Sequence, residues 1–122
     1  MTPWTATGRA VAAEFARRAS ERFGTRIERV VLFGSVARGT DGPESDVDLV
    51  VVADDRGPEL CDGLDEIAFD LTLSFHRTPV FVLYDGAEYA RARAGGSELV
   101  AAVEHEGIPL WTRSETRSSR HA

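Results

Sequence analysis

The sequence predicts a small α/β (α+β) domain: a mixed sheet of three to four strands with helices packed on one side. Three observations carry this expectation. Apolar runs rich in branched residues at 27–33, 46–53 and 79–84 have the length and composition of strands. An amphipathic stripe precedes the first run. A long stretch of apolar periodicity separates the second from the third, as a crossover between parallel neighbours requires. At 122 residues the chain makes one domain with a real but small core.

The elements follow in order. Residues 7–23 place Val11, Ala12, Phe15, Ala16, Ala19 and Phe23 on one helical stripe and Arg9, Glu14, Arg17, Arg18, Glu21 and Arg22 on the other. This is a helix covering a sheet, with Gly24 as its stop. Residues 27–33 form the first strand, broken by Gly34-Ser35. A short helix follows at 35–38, then a loop by composition at 39–43. The second strand, 46–53, is apolar on both faces beyond its two aspartates, as a central strand should be. The 59–76 stretch has two periods: Leu60, Leu64, Ile67, Leu71 and Phe75 make a helical stripe, whereas Phe69, Leu71, Leu73 and Phe75 alternate as a strand would. Its length favours a helix. A third strand at 79–84, helices at 88–94 and 97–106 and a short apolar segment at 108–111 complete a domain spanning 1–112. Residues 113–122 are polar, Arg/Ser-rich and disordered by composition.

Bulk properties narrow the function. Hydrophobic content of 43% and charged content of 28% are those of a soluble globular protein. The net charge of −6 argues against a stable nucleic-acid binder, which carries a basic face. All 14 basic residues are Arg, so no Lys is available as phosphate clamp or nucleophile. The single cysteine, Cys61, forms no internal disulfide and suits a reducing compartment. Neither a signal-peptide core nor a membrane span is visible, so a cytoplasmic location without membrane association is expected. His76, His105 and His121 share no ligand spacing and read as surface residues. Trp4 and Trp111 read either as core closure or as partner contacts.

The chemistry concentrates in Leu32-Phe33-Gly34-Ser35-Val36-Ala37-Arg38-Gly39-Thr40 and Ser45-Asp46-Val47-Asp48-Leu49. Side chains along a strand alternate, so Asp46 and Asp48 project from one face. Two carboxylates held this way favour a small oxygen-loving cation such as Mg²⁺. Gly34 and Ser35 stand where a strand turns into a helix, with backbone N–H groups free to meet a phosphate. Arg38, one turn on, is within reach of a phosphate oxygen. The competing reading makes Asp46 and Asp48 turn or cap residues on a solvent edge. Two like charges at the head of an apolar strand are costly without a counter-ion, which favours the metal reading.

Gly-Ser, ten residues, then Asp-x-Asp resembles the signature of the polymerase-β-like nucleotidyltransferases, and most closely their small stand-alone members, the minimal nucleotidyltransferases. The Ala-Arg-Gly after Ser35 and the Ser before Asp46 are similar too, and a diffuse likeness extends over 27–111. The resemblance implies a nucleotidyltransferase fold and Mg²⁺-dependent transfer of AMP from ATP. Asp46 and Asp48 would hold the metal and serve catalysis, while Gly34, Ser35 and Arg38 would bind the nucleotide. It also implies a partner: a HEPN-type ribonuclease toxin whose hydroxyl, a tyrosine in some cases, accepts the AMP, with this chain as antitoxin in a hetero-oligomer or also self-associated. Active members add a third carboxylate from a neighbouring strand. Here 79–84 holds no acid, with Phe81 about where one is expected; Asp85 and Asp70 are the substitutes in sequence. The alternative is a weak or inactive module of the same fold that neutralises its partner by binding alone.

Overall fold

The computed structural model describes residues 1–114. A four-stranded mixed sheet in the order β3-β2-β1-β4 forms its centre. The chain runs α1 (Pro3–Phe23), β1 (Ile27–Phe33), α2 (Gly34–Arg38), β2 (Val47–Ala53), α3 (Pro58–Phe75), β3 (Pro79–Asp85), α4 (Gly86–Ala94), α5 (Glu98–Glu106) and β4 (Ile108–Thr112). β1 is antiparallel to β2 and β4, while β2 and β3 are parallel and joined through α3. The expected sheet is therefore present. Its fourth strand is the apolar segment after Gly107, which pairs with β1 from Leu32↔Ile108 to Arg29↔Thr112.

One boundary differs most from the predicted elements, for a local reason. α1 begins four residues early because Thr2 accepts the Thr5 N–H and Pro3 takes the first helical position, where its missing N–H costs nothing. α3 is helical throughout. Of the four residues that alternate like a strand, only Leu71 is fully buried, while Phe69 and Leu73 are 64% and 61% exposed. The helix stops at His76, whose φ of 58° turns the backbone into the left-handed region.

The core lies in two layers. On the main face, Val11, Phe15 and Ala19 of α1 and Leu60, Leu64 and Leu71 of α3 pack on Ile27, Val30 and Leu32 of β1 and on Val47, Leu49 and Val51 of β2. The opposite face carries a smaller helical layer, absent from the expectation of helices on one side. There, Tyr89 of α4 and Val100 and Val103 of α5 cover Val31, Val50 and Val52. Strand alternation explains both layers. β2 is apolar on its two faces past Asp48, and each face needs a cover. Tyr89 donates its hydroxyl to Glu104 at 2.6 Å, tying α4 to α5, and burial with this bond pushes that hydroxyl up to about 12.

The C-terminal end of the described chain is docked. The Arg113 N–H donates to the Glu28 carbonyl at 2.8 Å, and its guanidinium meets the Asp54 carboxylate at 2.8 and 3.1 Å. The rest of the expected polar tail, from 115, including His121, lies outside the described residues.

Candidate functional site

The ten residues between Ser35 and Asp46 close into a loop that brings the two motif halves into contact. Phe33, the last residue of β1, is in register with Asp48 of β2. The chain then turns at Gly34, whose φ is +78°. A Cβ built there would lie 2.6 Å from Asp48 Oδ2 and 3.3 Å from its Cγ. Only glycine meets both conditions, the left-handed backbone and the missing side chain. No side chain caps α2 at Phe33, which leaves its first backbone N–H groups for water or a ligand. The helix ends at Gly39, φ +77°, and the Thr40 N–H donates to the Ser35 carbonyl at 2.9 Å.

Asp46 immediately precedes β2 and is exposed; Asp48, inside the strand, is half-buried. Burial pushes the Asp48 carboxyl above the usual carboxylate range, the charge of Asp46 raises it further, and Arg38 pulls it back. Desolvation of a half-buried carboxyl is the larger cause and the neighbouring carboxylate the smaller one. Arg38 is exposed and donates to Glu106 of α5 at 2.8 Å. Gly34, Ser35, Arg38, Asp46 and Asp48 thus gather at one end of β1 and β2.

The candidate third acids do not join them. Asp48 is in register with Val80, and Val50 with Val82, so Val80 and Val82 are the β3 residues on the Asp48 face. Phe81 points to the main core, its ring 5.8 Å from that of Phe15. Asp85 pairs with Ala53, five residues past Asp48, about 17 Å along the strand. Its carboxylate accepts the Glu88 N–H at 2.8 Å in a capping box that starts α4. Asp70 is exposed on α3, which covers the other face of the sheet. Among the described residues no group of three or more His, Cys, Asp or Glu side chains is placed to hold a metal ion. The oxygen donors of Asp46 and Asp48 still suit a hard divalent cation.

Sequence reasoning missed the support beneath this site. Asp41, inside the loop, and Arg77, between α3 and β3, are buried and bonded to each other. They stand 36 residues apart in segments that read as loop, and no periodic pattern links them. Trp4 belongs to the same cluster, its indole N–H donating to the Asp41 carbonyl at 2.8 Å, whereas Trp111 packs on the main core from β4. His76 caps the end of α3, His105 lies on α5 and Cys61 lies on α3.

Gly34→Ala tests the contact between the motif halves. Left-handed strain and collision with Asp48 should destabilise the fold by about 1–3 kcal/mol. Thermal melts should record the drop.

Comparisons with known proteins bear on the fold and the family. A nucleotidyltransferase domain model matches residues 12–105. A search of curated proteins finds no match. Among solved structures, the chain is similar to one from a toxin–antitoxin complex with AMP-PNP, at 21% identity and TM-score 0.57, covering 88% of this chain and 78% of that one. It is similar to a chain of the tri-AMPylated Shewanella oneidensis HEPN toxin in complex with MNT antitoxin, at 18% identity and TM-score 0.53, covering 93% and 78%. A nucleotidyltransferase-fold structure described as a putative nucleotidyltransferase from Sulfolobus solfataricus matches at 18% identity and TM-score 0.52, covering 93% and 91%. At these identities the structures establish a shared fold. The family model spans most of the chain and runs through both motif halves, and on that ground the protein belongs to the nucleotidyltransferase domain family.

Proposed function

We propose that this protein is a Mg²⁺-dependent minimal nucleotidyltransferase that moves AMP from ATP to a hydroxyl, a tyrosine, of a HEPN-type toxin, and so acts as its antitoxin. The observation that carries the reading is the packing of the Gly34 backbone against the Asp48 carboxylate, which supports a phosphate grip beside a carboxylate pair. The toxin–antitoxin complexes among the structural neighbours support the setting. The single cysteine, and the lack among the described residues of a helix long and apolar enough to cross a membrane, are compatible with a cytoplasmic protein.

In this reading the acceptor oxygen attacks the α-phosphorus of ATP. The bond to the bridging oxygen of pyrophosphate breaks, and the hydroxyl proton passes to a base. Asp46 and Asp48 would hold the ion, which supplies charge neutralisation to the triphosphate when bound. Gly34 lets a phosphate approach the backbone, Ser35 offers its hydroxyl, and Arg38 adds a cation once it leaves Glu106. The chain's contribution is positioning and charge.

Val80 and Val82 favour a second reading. They occupy the positions of β3 beside the carboxylates and cannot accept a proton. A module with this face would hold nucleotide or partner and turn over slowly or not at all. Incubation with α-labelled ATP, Mg²⁺ and the HEPN-type partner separates the two. Label transfer that disappears in Asp46→Ala and Asp48→Ala is expected for the enzyme. No transfer, with complexes that form equally well in both variants, leaves only the binder.

A further inference from the structure

We infer that Asp41 and Arg77 are a positioning pair for Asp46 and Asp48, a buried clasp whose work is to fix the metal-binding loop rather than to stabilise the fold. The inference rests on the reading of Asp46 and Asp48 as metal ligands.

The geometry is specific. The Arg77 side chain is 4% exposed and that of Asp41 is fully buried. Each arm of the guanidinium goes to a different segment. Nη2 donates to Asp41 Oδ2 at 3.1 Å, Nη1 to the Trp4 carbonyl at 2.8 Å, and Nε to the Ser45 carbonyl at 2.8 Å. Ser45 immediately precedes Asp46. The Asp41 carboxylate also accepts the Thr5 hydroxyl, and its carbonyl accepts the Trp4 indole N–H. Burial by itself would push the Asp41 carboxyl up, but Thr5 and Arg77 together hold it below its ordinary value. A Cβ on Gly8 would come within 3.0 Å of Arg77 Nη2 and of a Val36 methyl, so the guanidinium passes between α1 and α2 where α1 has no side chain. One residue further, the Val47 N–H donates to the Thr78 carbonyl at 2.9 Å.

Both ends of the 39–46 loop are therefore fixed. α2 holds the start through the Ser35 carbonyl, and the clasp holds the middle at Asp41 and the end at Ser45. A buried ion pair is a poor source of net stability, because desolvation offsets its attraction. What it gives is one defined geometry. Among the described residues no hydrogen bond or ion pair holds the Asp46 side chain, so the backbone before it sets its direction. Partners that orient metal ligands are worth about 10- to 100-fold in metal affinity.

The test is Mn²⁺ affinity, read by the paramagnetic signal of free Mn²⁺, on variants held well below their melting temperatures. Asp41→Asn and Arg77→Gln are expected to weaken binding about 10- to 100-fold. If either does not fold, Thr5→Val and Trp4→Phe each remove one bond of the clasp and should weaken binding severalfold. Thr5→Ser, which keeps the hydroxyl, should restore wild-type affinity. Leu60→Ala is the control: Leu60 is fully buried in the main core at the start of α3, beside the end of β2 away from Asp46, so its loss lowers the melting temperature and should leave Mn²⁺ affinity unchanged. Clasp variants that melt earlier yet bind Mn²⁺ as the wild type does overturn the inference and leave a structural ion pair. Wild-type protein that does not bind Mn²⁺, or binding that survives Asp46→Ala and Asp48→Ala, overturns the metal-site reading itself and the clasp with it.

Discussion

Asp48→Asn is expected to abolish metal-dependent nucleotide transfer and, at the same time, to raise the melting temperature of the metal-free protein by a few degrees. The two effects share one cause. Burial and the Asp46 charge push the Asp48 carboxyl up, so the folded state resists ionising it. A carboxyl raised in the folded state contributes stability that is present at low pH and lost as pH rises through the folded value. At neutral pH the wild type therefore carries an ionised Asp48 at a cost. Asparagine removes that cost with little change in volume, and with it the oxygen charge that a divalent cation needs. Melting curves should separate above the Asp48 titration and converge at acidic pH, where the wild-type carboxyl is also neutral. Saturating Mg²⁺ and ATP should raise the wild-type melting temperature and leave that of the variant in place. Equal melting temperatures at neutral pH without metal would show that Asp48 carries no such cost.

Phe15→Ala is expected to cost about 3–5 kcal/mol, the range for emptying a buried aromatic site. Phe15 is fully buried at the centre of α1 and stands against the Phe81 ring, tilted by 37°. It fills the space between the helix and the parallel pair β2 and β3. Neighbours on rigid strands collapse little into such a cavity. For a domain of this size the loss is a large share of the total stability of about 5–15 kcal/mol. Urea denaturation should show a lower midpoint at unchanged slope. A loss below about 1 kcal/mol would mean that α1 is not seated on the sheet as described.

How much of this was legible in the sequence depends on the range of the interactions involved. The three long strands, the helices and the Gly-Ser and Asp-x-Asp motifs are local patterns. Side-chain alternation and helical periodicity are set by covalent geometry, so they survive without knowledge of neighbours. The 59–76 stretch carries two periods because Phe69, Leu71, Leu73 and Phe75 satisfy both, and length alone favours the helix there. Packing resolved it by burying Leu71 fully while leaving Phe69 and Leu73 exposed. The second helical layer was missed for a related reason. Tyr89, Val100 and Val103 are few and separated, so although the second strand reads as apolar on both faces, no local pattern shows which elements cover its other face.

The sequence by itself determined that a glycine-serine turn closes one strand and a carboxylate pair heads the next, and hence the resemblance to the family. Only the tertiary structure decided their contact. The register that pairs Phe33 with Asp48 sets it, and no spacing rule states that register. Tertiary structure also decided where the other acids stand. Strand parity turns Phe81 into the core and gives the carboxylate face to Val80 and Val82, and the parallel pairing carries Asp85 to the far end of the sheet. Asp41 and Arg77 meet only because the crossover through α3 returns the chain to the start of β2. Contacts between distant segments depend on how strands pair, and that is a property of the folded sheet.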